Sequence, residues 1–159
     1  MALDKEYQGK DILLGFDFTT AVTVEGSAVN LATVKLVGCL TSNGFNMDTA
    51  SQGTTTKCSG KFQTSTPGSI TWGMSGAGVS IEKLVADTRI TSVDLFKKAK
   101  TQEAFWAFTY DVAGDFVKYG VVRLDSYSES NDAEGASTFD MTLTGIGEVF
   151  DQDDLAPVI

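Results

Sequence analysis

The stretch SITWGMSGAGVS at residues 69–80 alternates in character along its length. Bulky and small side chains alternate along it: the bulky ones are Ile70, Trp72 and Met74, and the small ones are Thr71, Gly73, Ser75 and Ala77. Side chains of a β-strand point to opposite faces with a period of two. The stretch therefore predicts a strand with one bulky apolar face, suited to a protein core, and one flat face of small residues.

Similar patterns before and after this stretch predict a mainly β, antiparallel sandwich or barrel. Five further strands are expected, at residues 11–18, 34–42, 103–112, 116–128 and 137–150. The last one places Phe139, Met141 and Leu143 on one face and Thr138, Asp140, Thr142 and Thr144 on the other. We expect the apolar face of this strand to share the core with that of residues 69–80.

One short α-helix is expected at residues 91–100, flanking the strands. Ser92 is placed to cap its start, and lysines at its end suit the negative pole of the helix dipole. Phe96 and Ala99 are predicted to pack inward.

A polar segment separates the second strand from residues 69–80. From Thr41 to Ser69 the chain contains no Leu, Ile or Val, although Phe45, Met47 and Phe62 are spaced along it. Such a composition cannot build its own core. It predicts a long loop or a protruding polar hairpin.

Charge is distributed unevenly along the 159 residues, whose net charge is −9. Acidic and basic residues balance up to position 123, and the excess of acids lies in the last quarter, which includes Asp125 and Asp140 but no Lys or Arg. Binding to a phosphate backbone needs cations that displace condensed counterions. Sequence-specific recognition of nucleic acid is therefore not expected, and the two cysteines, Cys39 and Cys58, are predicted to be free, small, semi-buried residues.

Catalytic chemistry finds little support in the sequence. Histidine is absent, which removes Ser-His-Asp and Cys-His arrangements and the commonest transition-metal ligand. We predict no enzyme activity, no cofactor and no metal site. The charged start MALDKEYQGKD has no apolar core typical of a secretory signal, so synthesis and retention in a cytoplasm are expected, without membrane insertion.

The order of three motifs resembles a known family. GKDILL at residues 9–14 begins a strand, PGSITWGMSGAG at 67–78 follows the polar segment, and STFDMTLTGIGEV at 137–149 ends the domain. With the short helix containing Leu95 and Phe96 between them, these motifs resemble the tail tube (major tail) proteins of long-tailed bacteriophages. The resemblance covers residues 9–150.

The resemblance implies a structural virion protein of the phage tail, assembled in the host cytoplasm. Subunits of that family form hexameric rings, in which one sheet of each subunit joins a continuous barrel around a lumen. The rings stack into a tube through which DNA passes without specific binding. Expected partners are the chain itself and other tail proteins: the tape measure, the tail terminator and the baseplate or distal tail protein.

The resemblance also assigns roles to segments. Residues 1–150 form one tail tube domain, within which 43–66 reach the neighbouring ring, and 151–159 form an acidic tail. Candidates for inter-ring contact are Phe45, Met47, Lys57, Lys61 and Phe62. Candidates for lining the lumen are Thr71, Ser75, Asp125 and Asp140, although both aspartates fit an outer surface equally well.

Two alternatives remain open at this point. The chain could be a soluble β-sandwich module that binds carbohydrate through Trp72 and Trp106, or a hydrolase with an unrecognised carboxylate pair. Among tubes, the sequence does not separate phage tails, contractile or not, from type VI secretion systems or gene transfer agents.

Overall fold

A computed structural model of the chain describes residues 9–23, 25–29, 31–54, 64–80, 89–111 and 117–154. It contains seven strands: β1 (Ile12–Asp17), β2 (Lys35–Leu36), β3 (Leu40–Thr54), β4 (Thr64–Val79), β5 (Ala104–Asp111), β6 (Val117–Ser130) and β7 (Thr138–Asp151). One α-helix, α1, spans Ser92–Thr101, and short 3-10 helices occupy Gly9–Asp11, Gly26–Ala28, Leu31–Thr33 and Gln152–Asp154. The predicted antiparallel β fold with one short helix is confirmed.

All seven strands form one antiparallel sheet in the order β2-β1-β5-β6-β7-β4-β3. The sheet curls so that β1 and β5 lie over β4 and β7. Across the enclosed space the Thr109 hydroxyl lies 3.5 Å from Met74 Sδ, and a Cβ added to Gly76 would lie 3.2 Å from Leu14 Cδ2. A glycine at position 76 thus lets the two halves of the sheet approach closely.

The main core fills this enclosed space. Its buried side chains come from five strands and the helix: Leu14, Phe16, Trp72, Met74, Leu95, Phe105, Ala107, Val122, Leu124, Phe139, Met141 and Leu143, together with Val37 and Ile90. The apolar faces predicted for residues 72–74 and 139–143 are therefore buried together, as the alternation indicated.

A second core lies on the opposite face of β5 and β6. Trp106, Phe108, Val117 and Tyr119 are buried there beneath Val29. The Tyr119 hydroxyl donates to the Gly26 carbonyl at 2.8 Å, and Trp106 Nε1 donates to the Ala21 carbonyl at 3.1 Å. These bonds hold the connection between β1 and β2 against the sheet, so this connection works as a cover for one part of the outer face.

Asp17 fixes the start of that connection. Its carboxylate is fully buried and accepts hydrogen bonds from the backbone N–H groups of Thr19 (2.9 Å) and Thr20 (3.1 Å). The hydroxyls of Thr19, Thr20 and Thr33 also donate to it. Burial alone raises the pKa of a carboxyl, but here the hydrogen bonds outweigh burial and hold the pKa of Asp17 below its usual value.

Three local predictions are wrong. The strand expected at 34–42 is divided after Val37, because Cys39 adopts a left-handed backbone conformation (φ 57°) that turns the chain between β2 and β3. Cys39 is exposed, not semi-buried, and Cys58 lies outside the described residues. Thr91, not Ser92, caps α1 in a capping box with Asp94.

The helix also presents a different residue to the core. Leu95 is completely buried, whereas Phe96 is 54% exposed and its ring lies 6.3 Å from that of Tyr127. Ala99 packs against the main core as predicted. The sheet approaches the helix from the side of Leu95, which the helical pattern alone did not distinguish from the side of Phe96.

Candidate functional site

Among the described residues, no element covers one side of the sheet at four of its strands. Strands β3, β4, β7 and β6 are neighbours, and residues that face each other in their registers share a side of the sheet. We call this side the small-residue face; it consists of Ser42, Gly44, Asn46, Asp48, Thr71, Gly73, Ser75, Ala77, Ser126, Ser128, Asp140, Thr142 and Thr144. The flat face predicted for residues 69–80 is thus the centre of a larger flat surface.

The four residues proposed for the lumen all belong to this side of the sheet. Thr71, Ser75 and Asp140 are exposed members of the small-residue face. Asp125 is exposed at a β-bulge between Leu124 and Ser126. It accepts a 3.1 Å hydrogen bond from the Thr144 hydroxyl, which places its carboxylate at the same surface.

Electrostatically, this surface is mildly acidic. Asp48, Asp125 and Asp140 contribute carboxylates, and Arg123, opposite Thr144, contributes a guanidinium 4.0 Å from Asp125. Much of the acidic excess of the last quarter lies elsewhere. Glu129, for example, accepts a 2.5 Å hydrogen bond from the Tyr127 hydroxyl on the helix side of the sheet.

The pKa shifts of Tyr119 and Tyr127 follow from burial near acids. Burial, reinforced by the charges of Asp154 and Asp151, raises the pKa of Tyr119 to about 12. Burial and the hydrogen bond to Glu129 likewise raise the pKa of Tyr127. Both phenols therefore remain neutral hydrogen-bond donors at physiological pH, which suits structural roles.

The polar segment is a hairpin of two long strands. β3 pairs with β4 from Leu40 to Thr54, but β7 pairs with β4 only over Gly73–Val79. Residues 64–72 of β4 therefore have β3 as their only strand partner among the described residues, and this part of the hairpin projects beyond the rest of the sheet. Of the two interpretations of the sequence, loop or hairpin, the structure shows the hairpin for residues 40–54 and 64–79.

An apolar strip continues from the core along one side of this hairpin. The Phe45 ring packs 6.1 Å from that of Trp72, and Lys118 Nζ lies 5.5 Å from the Phe45 centroid. Farther out, Met47 is 50% exposed and Ile70 is 58% exposed. We call Phe45, Met47 and Ile70 the hairpin strip.

Ile70 lies on the bulky face of β4 as predicted, but it is exposed and not part of the core. Ile70 lies on the same side as Trp72, but the main core ends before it. Of the other predicted contact residues, Lys57, Lys61 and Phe62 lie outside the described residues. The sequence pattern did not identify Ile70 as a candidate contact residue. Its exposure arises because β7 pairs with β4 only from Gly73 onward, and the pattern of a single strand does not show where its neighbour ends.

The tryptophans do not form a carbohydrate platform. Trp72 and Trp106 are 4% and 1% exposed, and Trp72 Nε1 donates to the Gly147 carbonyl at 2.9 Å. A sugar-stacking surface needs exposed ring faces, so the binding-module alternative loses the residues on which it depended. Within the described residues, no three His, Cys, Asp or Glu side chains are grouped closely enough to hold a metal ion, and no helix is long and apolar enough to cross a membrane.

Comparisons with solved structures find the same fold in several tail and virion structures. The chain superposes on the tail of an empty gene transfer agent particle, refined with C6 symmetry, with a TM-score of 0.69 at 17% identity, covering 92% of this chain and 98% of that one. The virion of a native gene transfer agent particle gives 0.66 at 15% identity, covering 91% and 97%. The SPP1 tail tube gives 0.57 at 15% identity, covering 89% and 77%.

Sequence comparison gives a family. No curated protein sequence matches the chain at a significant level. The family described as phage tail tube protein, in contrast, matches residues 6–151, which is nearly the whole chain. The resemblance inferred from the three motifs is thereby confirmed. Membership of a structural family also agrees with the prediction that the chain is not an enzyme. This protein belongs to the phage tail tube protein family.

Proposed function

We propose that this protein forms the tail tube of a virion by assembling into rings that stack, and that the small-residue face lines the bore. The observation that carries this proposal is the uncovered face itself. It spans four strands, its side chains are short, and among the described residues the segment between β1 and β2 covers the region of Trp106 and Tyr119 instead.

Short side chains suit a bore because they leave it wide and smooth. Among the described residues of this surface, the acids Asp48, Asp125 and Asp140 outnumber the one base, Arg123, so DNA phosphates are repelled and not bound. DNA could therefore pass through without adhering to the wall.

Hexameric rings are the assembly we propose, since the similar gene transfer agent tail has C6 symmetry. Open strand edges are available for ring closure among the described residues. β3, at one end of the sheet, pairs with β4 alone, and β5 pairs with β6 only as far as Arg123, which leaves the later part of β6 without a described strand partner on that side. An unpaired edge of a long strand readily pairs with another chain.

The remaining proposals concern the assembled particle. The hairpin containing Phe45 and Met47 contacts the neighbouring ring, and residues 57–62 extend that contact. The tape measure, tail terminator and baseplate or distal tail proteins are the partners at the ends of the tube. Assembly takes place in the host cytoplasm.

Thiol labelling tests the position of the small-residue face. In a background without Cys39 and Cys58, Ser75→Cys places a thiol on the proposed bore, and Glu134→Cys places one in the exposed loop after β6. Unassembled subunits of both variants should react with a bulky polymer-linked maleimide. In assembled tubes, seen as hollow filaments by negative-stain microscopy, Glu134→Cys should still react and Ser75→Cys should be protected.

A small maleimide supplied to the same tubes serves as the control, because it can diffuse along the bore and should label Ser75→Cys. Rapid reaction of Ser75→Cys with the bulky reagent in intact tubes would place this face outside. Failure of the unsubstituted protein to form rings or tubes at high concentration would contradict the proposed assembly as a whole.

A further inference from the structure

An exposed apolar surface on α1 has no role in the bore or in the hairpin strip. It consists of Val93 and Phe96, each about half exposed. The two residues lie three positions apart and so share one face of the helix; we call them the helix patch. The patch borders the later part of β6, because the Phe96 ring lies 6.3 Å from that of Tyr127 and the Tyr127 hydroxyl donates to the Ser92 carbonyl at 3.3 Å.

A second apolar surface is a cleft of about 640 Å³ where β1, β2 and the start of β3 meet. Partly buried aliphatic side chains line it: Ile12, Leu13, Leu36 and Leu40. The cleft borders the edge of β3, since a 3.5 Å contact joins Asn43 Nδ2 to the Ile12 carbonyl. Each of the two surfaces therefore lies beside a strand edge that lacks a described strand partner.

The helix patch and the cleft lie on opposite flanks of one subunit. β1 crosses behind the bore strands: Ile12 contacts β3, Leu14 lies over Gly76 of β4, and the chain reaches α1 at Phe18, whose ring lies 4.7 Å from Lys98 Nζ. At roughly 3.3 Å per residue, Ile12 and Phe18 are about 20 Å apart. A subunit therefore cannot place its own helix patch in its own cleft.

Both surfaces lie at the same level and on the same side of the bore strands. One row of paired residues crosses the four strands from the helix patch to the cleft: Tyr127, Met141, Gly76 and Asn43. Leu95 of α1 and Leu40 at the cleft pack against the main core, which is on the side opposite to the small-residue face. Both surfaces are thus behind the proposed bore wall.

We propose that the helix patch of one subunit docks in the cleft of the next copy of this chain in the same ring. Rotation about the tube axis keeps strand directions, so the edge of β3 meets the antiparallel edge of β6 of the next subunit. Paired strands lie about 4.8 Å apart, which brings the cleft behind β3 within reach of Phe96 behind β6. The proposal rests on the proposed function and names the surfaces that close the ring.

The charges around the two surfaces are complementary. Glu129, which accepts a hydrogen bond from Tyr127, and Lys97 are exposed beside the helix patch. Lys10 lines the cleft, and Asp11 is exposed next to it. Each surface therefore presents both signs of charge around an apolar centre, which is the arrangement of a polar rim around a buried interface core. Because the two surfaces differ, the contact is heterologous, and it closes into a ring when the rotation between subunits allows it.

A substitution on the helix patch tests this contact. Phe96→Asp changes a side chain that is half exposed in the single subunit, so the melting temperature and the far-ultraviolet CD spectrum should stay close to those of the unsubstituted protein. Rings and tubes should be lost in negative-stain microscopy, and the variant should sediment as a monomer. Val22→Asp is the matched control, because it alters an exposed apolar residue between β1 and β2, away from both strand edges, and should assemble normally.

Disulfide trapping identifies the receiving surface and does not depend on the folding of Phe96→Asp. In a background with Cys39→Ser and Cys58→Ser, Lys10→Cys places a thiol at the cleft and Phe96→Cys places one on the helix patch. A disulfide needs Cα atoms within about 7 Å, which opposite flanks of one chain do not allow. Mild oxidation of assembled rings should give a ladder on non-reducing electrophoresis that ends at six subunits, and Lys10→Cys with Val93→Cys should give the same ladder.

The control pair is Lys10→Cys with Ser128→Cys. Ser128 follows Tyr127 on the same edge of β6 but belongs to the small-residue face, so this pair should give no ladder. Tubes without a ladder from either patch pair, or normal tubes from Phe96→Asp, would overturn docking in the cleft and leave the tube function standing. A ladder that extends beyond six subunits would show contact between rings and overturn docking within a ring. Absence of rings and tubes from the unsubstituted protein would overturn both proposals.

Discussion

Removal of the Asp17 carboxylate should be among the most destabilising single substitutions in this fold, although Asp17 touches neither the small-residue face nor the hairpin strip. In Asp17→Ala, the N–H groups of Thr19 and Thr20 lose their acceptor. A hydrogen bond to a charged group contributes roughly 1.5 to 3 kcal/mol to stability, so the loss of these two bonds costs roughly 3 to 6 kcal/mol. We expect a loss of about 4 kcal/mol in the free energy of unfolding, a large share of the roughly 5 to 15 kcal/mol typical of a domain.

Urea denaturation followed by tryptophan fluorescence measures this loss, because Trp106 lies under the segment that Asp17 anchors. Asp17→Asn keeps the shape and one acceptor oxygen, so we expect a smaller loss of about 1 to 2 kcal/mol. Asp125→Ala is the control: its carboxylate is exposed, and its removal should change stability by about 0.5 kcal/mol or less.

The pH dependence of this effect has a definite sign. The pKa of Asp17 is lower in the folded chain than its ordinary value of 3.8. The stabilisation by the ionised carboxylate is therefore complete above the unfolded-state pKa and is lost as the pH falls through the lower folded-state pKa. The stability difference between the unsubstituted protein and Asp17→Asn should shrink below about pH 4. Equal stability of Asp17→Ala and Asp125→Ala at neutral pH would refute the reasoning.

Two further changes test the core. Met74→Asp should abolish soluble expression, because it buries an unpaired charge. Thr71→Ser, on the small-residue face, should leave the melting temperature nearly unchanged. If thermal melts showed that both positions tolerate substitution equally, the assignment of faces would be wrong. Gly145→Ala should lower the free energy of unfolding, measured by urea denaturation, by about 2 to 3 kcal/mol. The added Cβ would lie 2.2 Å from the Trp72 ring, and the hydrogen bond to the Gly147 carbonyl holds that ring in place. An unchanged urea midpoint would show that the ring moves freely.

The sequence by itself determined most of the strands and the helix. The alternation at 12–18, 72–78 and 139–144 reports which side chains share a face, because the period of two is a property of each strand alone. The polar segment was also recognised as an insertion, since it lacks the aliphatic residues that a core needs.

What each face meets was decided only by the tertiary structure. Ile70 and Trp72 share a side, but the Trp72 ring lies against Gly145 of β7 and donates to the Gly147 carbonyl, so Trp72 is buried whereas Ile70 is exposed. The same holds for Leu95 and Phe96 in the helix, which differ in burial because of where the sheet approaches.

The positions of Asp125 and the second core were likewise outside the reach of sequence patterns. A bulge at Asp125 shifts the alternation of β6, and the hydrogen bond from Thr144 then determines which surface receives the carboxylate. The segment that covers Trp106 carries no strong period of its own and is held by long-range bonds to Asp17 and Tyr119. Local periodicity encodes the direction of a side chain, whereas its burial depends on contacts between residues far apart in the chain.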